Sequence, residues 1–196
     1  MAKKGLSKPF LGEYDDTNGN LTYTNGRVLG HAIEYGVEIE ESDDNPLYGD
    51  NVVIEHDNGA FSGGTLTLNT SELTQADSKW LLGVTEQSVS VGSKTVKELV
   101  FNDDLRPKVL GFGIIEQHQI NDIDMYRTVV LCKVVPNIPP EAATTRGESI
   151  EWQTEEITFR IERAGDAKHS WKRTAEHESE ADAAAYLSEV LGVGQG

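Results

Sequence analysis

The chain has a single cysteine, Cys132, among 196 residues, so neither an intramolecular disulfide framework nor a thiolate metal cluster is available to it. The position of Cys132 in the apolar run 128–135 predicts a small buried hydrophobe. Positive charge is also scarce: 17 Lys and Arg stand against 33 Asp and Glu, a formal charge of −16. Phosphate backbones are bound by cations that displace condensed counterions, so this balance argues against a generic nucleic-acid binder and against an anionic membrane surface. No apolar run approaches the ~20 residues that span a bilayer. The opening residues, Met-Ala-Lys-Lys-Gly-Leu-Ser-Lys, lack the apolar segment of a secretory signal, and cytoplasm is the expected compartment.

Catalytic signatures are missing as well. The five histidines, at 31, 56, 118, 169 and 177, show no His-Glu-x-x-His spacing and read as surface or loop polar groups. Gly111 and Gly113 are not followed by a third glycine opening a helix, and no Gly-Lys-Ser/Thr loop exists, so nucleotide binding has no support. With so many acids, a carboxylate pair for glycoside hydrolysis is meaningless without geometry. Asp43, Asp44, Asp50, Glu55 and Asp57 offer oxygen ligands for a hard cation such as calcium, but their spacing fits no 12-residue calcium loop, and a solvated acidic face is the preferred reading. No catalytic, cofactor or metal residue is assigned.

What is present is a one-signed segment. Residues 28–78 contain eleven Asp or Glu and no Lys or Arg, yet they alternate apolar and polar positions. A disordered acidic tail would lack that alternation, so the segment predicts a folded surface at strongly negative potential. Most other elements read as strands. Val37 and Ile39, then residues 52–54, flank an acidic loop or extended hairpin over 38–61, and residues 65–69 alternate as a half-buried strand. Leu73, Ala76, Trp80 and Leu81 then fall on one helical face, predicting a helix over 71–82 with Thr70 or Ser71 as N-cap and Gly83 as the stop. Gly92 and Ser93 join strands 87–91 and 94–101 as a tight hairpin.

Residues 109–115 read as a strand whose glycines at 111 and 113 predict close backbone approach or a bulge, and 125–135 is the most apolar strand and the expected centre of the sheet. A loop follows to about 147, then two period-2 sets, at 150–154 and 157–161, and a short strand over 169–172. Ala181, Ala184, Ala185, Leu187, Val190 and Leu191 stripe a C-terminal helix over 179–191. The expectation is a single mainly β domain over 1–196 with eight or nine strands, the flanking helix, and a C-terminal helical extension over 175–196. Lys3, Lys4 and Lys8 mark residues 1–9 as a flexible basic arm, either a frayed terminus or a segment that orders against an acidic neighbour on polymerisation. Tyr48 reads as a core or hinge residue, with an interface role as the alternative.

The order and spacing of several pieces resemble the major tail tube proteins of long-tailed, non-contractile (siphovirus-type) bacteriophages of Gram-positive hosts. They are a strand over 23–30 leading into His31 and Ala32; Leu47, Tyr48, Gly49, Asp50 and Asn51, where the family more often has Ala before the Asp-Asn; and the strand and helix from Phe61 to Gly83. Further pieces are Pro107 with Gly111, Phe112 and Gly113, the 126–135 strand with Lys133, Thr145 with Gly147 and Glu148, and a late Trp171. The resemblance implies a β-sandwich or barrel-like tube protein, a virion structural component and not an enzyme, assembled in host cytoplasm and carrying no cofactor. Six copies would form a ring, and stacked rings a tail tube through which DNA passes without specific binding. A tape measure protein, a distal tail initiator and a tail terminator would be its partners, with no membrane contact. Lys3, Lys4, Lys8, Asp43, Asp44, Tyr48, Asp50 and Asn51 are the candidate assembly contacts. The rival reading is a carbohydrate-binding β-sandwich using Trp80, Trp152 and Trp171, although Trp80 and Trp152 sit in phase with core positions.

Overall fold

In a computed structural model of the chain, residues 2–43, 45–57, 60–140 and 154–194 are described. Twelve strands and two helices follow one another as β1 (Ala2–Asp15), β2 (Thr22–Val28), β3 (Ala32–Glu41), β4 (Asn45–Gly49), β5 (Val52–Asp57), β6 (Phe61–Thr70), α1 (Gln75–Leu82), β7 (Thr85–Val91), β8 (Lys94–Val100), β9 (Leu110–Ile120), β10 (Ile123–Pro136), β11 (Glu155–Glu162), β12 (Lys172–His177) and α2 (Glu180–Val190). The fold is mainly β, with antiparallel pairing throughout the sheets. Eight strands form one sheet in the order β2-β1-β9-β10-β11-β6-β3, and β12 pairs with β10.

Strand β10 explains how that sheet folds over. Its residues 126–131 pair with β12, whereas Lys133–Pro136 pair with β11, so the sheet divides along one strand. The β11-β6-β3 arm thereby closes over β9 and β10. Leu66, Leu68, Ile157, Phe159 and Ile161 from that arm share a core with Phe112, Ile114, Val129 and Leu131. Tyr35 on β3 reaches Glu116 on β9, which brings the last strand of the order back to the other side of the core.

Strands β9 and β10 are buried on both faces. Ile115 and Val130 point away from the main core into a second cluster with Phe10, Tyr23, Ala183, Leu187 and Leu191. That is why the 128–135 run is nearly continuously apolar instead of alternating. Cys132 is fully buried in this run, as the sequence predicts, and burial pushes its thiol pKa up. Helix α2 lies on this outer face. Side chains at residue 113 would come within 2.8 Å of Leu191 and 2.9 Å of Leu187, so Gly113 is what allows the helix to approach.

Several sequence expectations are met at residue level. Strand β6 alternates half-buried and buried positions, and the β7–β8 hairpin turns at Gly92 with φ of 62°. Helix α1 ends at Gly83 in the left-handed region, with the Gly83 amide donating to the Lys79 carbonyl. Helix α2 starts after Ser179, whose side chain accepts from the Asp182 amide.

Other expectations are corrected. Helix α1 begins at Gln75 with Thr74 as its cap, because Thr74 and Asp77 satisfy each other's backbone amides in a capping box that Thr70 and Ser71 cannot form. Thr70 is instead the buried last residue of β6. In α2 the expected Leu187 is buried, but the buried alanine is Ala183, whereas Ala181 and Ala185 are exposed. The final strand lies at 172–177, after a turn at His169 with φ of 51°. Residues 2–9 are not a free arm: they are the first part of β1, paired with β9 from Ala2 opposite Gln119 to Ser7 opposite Ile115. The expected strand at 150–154 falls mostly outside the described residues, as do Asp44, Thr145, Gly147, Glu148 and Trp152.

Candidate assembly surface

The acidic segment folds as the extended hairpin, one of its two sequence readings. Strand β3 pairs with β6 as far as Glu41 opposite Phe61, the Ser42 amide donates to the Ala60 carbonyl, and β4 and β5 form a two-stranded ribbon that carries the pairing on from Asn45 opposite Asp57. Asp50 and Asn51 are its turn, with φ of 52° and 64°. Two successive left-handed residues make the tight turn whose twist matches a two-residue hairpin, and Asp and Asn tolerate it best after glycine. The same device recurs at Asn121 and Asp122 between β9 and β10.

This ribbon carries large apolar side chains into solvent. Tyr48 is 65% exposed, Val52 63% and Ile54 66%. Val52 and Ile54 lie two residues apart and share one face, whereas Tyr48 pairs opposite Val53 and takes the other. Tyr48 is therefore not a core residue, contrary to one of its sequence readings. Asp43 is exposed at the ribbon's base. Of the candidate contacts, Tyr48, Asp50 and Asn51 are thus brought together at one tip, with Asp43 at its root. Val52 and Ile54 were missed, although a Val-Val-Ile run beside a polar turn already signals a strand with no polar face.

The β7–β8 hairpin is similar in kind. Val89, Val91 and Val96 are exposed and Val89 pairs opposite Val96, although the same face also carries Gln87 paired with Glu98, and Lys94 opposite Val91. Its opposite face carries Glu86 between Lys79 at 3.5 Å and Lys97 at 3.1 Å. Isolated exposed apolar residues are ordinary on protein surfaces, whereas a cluster such as Tyr48, Val52 and Ile54 on one two-stranded ribbon is the kind of surface that marks contact with another molecule.

The basic residues lie elsewhere. Lys4 Nζ is 3.1 Å from Asp124 Oδ1, and Lys8 Nζ is 3.9 Å from Glu180 Oε1. Lys3 pairs with Glu116 on β9, a carboxylate that is 1% exposed. Tyr35 donates to that carboxylate, His118 Nε2 lies 3.1 Å from it, and Arg127 Nε approaches at 3.3 Å. Burial alone would raise the pKa of Glu116, but the hydrogen bonds from Lys3, Tyr35 and His118 outweigh it and hold the value down to about 2. Burial, and then the bond to Glu116, push Tyr35 in the opposite direction, above the usual phenol range. His118 is buried, unlike the loop histidine that its sequence context suggests, and its Nδ1 has no hydrogen-bond partner. Sequence gave little warning of this cluster, since Lys3, Tyr35, Glu116 and Arg127 come from four strands.

Trp80 and Trp171 bear on the rival sugar-binding reading. Trp80 is buried, donates to Glu13 at 3.0 Å and has the Arg27 guanidinium over its ring at 4.2 Å. Trp171 is half-buried, and Phe61 stacks on it at 4.7 Å with the rings 4° from parallel. One ring face of Trp171 is therefore already covered. Among the described residues no three His, Cys, Asp or Glu side chains come together as a metal-binding group, and no helix is long and apolar enough to cross a membrane.

No protein-family model matches the chain, and no curated protein matches it in sequence.

Proposed function

We propose that the chain is a non-enzymatic structural protein whose activity is self-assembly, and that it builds a phage tail tube of the siphovirus type from stacked hexameric rings. The observation that carries this reading is the β4–β5 ribbon, which stands apart from the main sheet and exposes Tyr48, Val52 and Ile54 beside an acidic turn. Burying such residues against a neighbour is worth about 1.5–3 kcal/mol each, enough in sum to hold a ring or a stack once repeated around it. The charge fits the same reading. A conduit for DNA needs a lumen that repels phosphate, and a chain of charge −16 supplies negative surface without any binding site. Residues 192–193 cover the outer edge of β2 at Gly26, and the edge of β3, the other end of the strand order, is the one proposed for pairing between copies. Tape measure, initiator and terminator proteins, and a final place in the virion tail, belong to the same proposal.

The test is negative-stain electron microscopy of the full chain after prolonged incubation at high concentration and moderate salt. Hollow tubes or six-membered rings are the expected result. A variant with Tyr48→Ser, Val52→Thr and Ile54→Thr should keep the wild-type urea midpoint and lose assembly. Unchanged tubes from that variant would remove the ribbon from the interface.

A further inference from the structure

Strand β1 is two strands in one. Residues from Phe10 to Asp15 lie between β2 and β9, but among the described residues the segment 2–7 pairs with β9 alone, with Lys3 lying over the Tyr35 ring of β3 at 5.5 Å. The register breaks between Ser7 and Phe10. Lys8 sits at the break with φ of 49° and is followed by Pro9, so a non-glycine residue holds a left-handed conformation next to a fixed one. That is a hinge in the middle of the strand.

The segment beyond the hinge is held by charge more than by burial. Lys3, Lys4 and Gly5 are exposed, and Leu6 is only half-buried against the main core. The groove it occupies presents three carboxylates from three elements. Glu116 of β9 takes Lys3, Asp124 of β10 takes Lys4, and Glu180 of α2 accepts from Ser7 Oγ at 2.9 Å and faces Lys8. The groove is therefore built for a short extended strand with amines at positions 3, 4 and 8. If the strand leaves, Glu116 stays buried with Tyr35, His118 and Arg127 but without its lysine, and the edge of β9 is unpaired.

We infer that residues 2–8 are an exchangeable strand, which in assembled copies lies in the β9 groove of a neighbouring molecule instead of its own. The occupant that fits is a second copy, because its segment brings the same amines to the same carboxylates. Exchanged and closed forms then share their contacts, and the balance between them is set by concentration and by relief of the Lys8 hinge. This deepens the self-assembly reading and rests on it, since exchange joins copies of one chain. It also gives Lys3, Lys4 and Lys8 their acidic partner: the Glu116, Asp124 and Glu180 groove, not the β4–β5 ribbon.

Gly5 and Gln117 are register partners on β1 and β9, at a separation suited to a cross-strand disulfide. One full-length chain carries Gly5→Cys and another Gln117→Cys. They are mixed at high concentration, incubated, oxidised mildly and read by non-reducing gel and peptide mass spectrometry. Covalent dimers joined through positions 5 and 117 are expected. Reversing Lys3 and Lys4 to Glu in the first chain should cut their yield by about tenfold, as lost ion pairs of this kind allow. A yield no higher than that of Gly5→Cys mixed with Lys97→Cys, on the distant β8, overturns the inference. The double variant in a single chain must form the intramolecular disulfide, which shows that both substitutions keep the native register and makes a negative mixture a refutation. Microscopy of the same samples separates the two proposals. Tubes without the 5–117 link overturn exchange and leave assembly standing, whereas linked dimers that never form tubes support exchange and count against the tube.

Discussion

Replacing Glu116 with Gln should destabilise the monomer in a way that depends on pH. The carboxyl is held at about 2 in the folded chain against an ordinary value of 4.5. A group whose folded pKa is depressed contributes stability that is complete above its unfolded pKa and is lost as pH falls through its folded one. The window for Glu116 therefore runs from about pH 4.5 down to about pH 2. The difference of roughly 2.5 pK units corresponds to about 3 kcal/mol at pH 7, and to about 1 kcal/mol near pH 3, where the unfolded side chain is already protonated. The Gln side chain keeps the shape and loses the charge, leaving Arg127 and His118 beside a neutral amide. The assay is urea denaturation of wild type and Glu116→Gln at pH 7 and pH 3, either side of the isoelectric point near 4.6 and at concentrations that keep the chain monomeric. The gap between the two proteins should narrow by about 2 kcal/mol on acidification. Other carboxylates titrate in both proteins and cancel in the difference. A gap that is the same at both pH values would show that Glu116 acts by packing alone and would refute the charge argument.

Leu187→Ala should cost about 2–5 kcal/mol in the same assay, because Leu187 is fully buried between α2 and the outer face of β9 and β10, where a cavity cannot easily close. Loss of less than 1 kcal/mol would mean that α2 is not docked there. Thr74→Ala should cost about 1 kcal/mol by removing the capping box of α1, whereas Ser71→Ala should leave that helix unaffected, and an equal loss at Ser71 would restore the earlier start.

Local pattern was sufficient wherever neighbours in sequence are also neighbours in structure. The β7–β8 hairpin, the alternation of β6, the stop of α1 at Gly83 and the presence of a helix from about residue 179 all depend on residues close to one another in sequence. The apolar run 128–135 also announced a central strand, and of the two readings of the glycines at 111 and 113, close approach occurs, by the Tyr23 ring and by α2 respectively. The residues 2–9 carried no such pattern. Their lysines read as a solvated arm, and only pairing with β9, more than a hundred residues away, makes them a strand.

Composition determined that the chain is strongly acidic and that its one thiol has no disulfide partner within the chain, and short-range periodicity determined that strands dominate. The tertiary structure decided which carboxylates matter. Among 33 acids, only the fold places Glu116 out of water beside Lys3, Tyr35, His118 and Arg127, and only the fold sets Tyr48, Val52 and Ile54 on a ribbon to which no further strand pairs among the described residues. Burial and long-range pairing are properties of contacts between distant segments, and no local window of sequence contains both sides of such a contact.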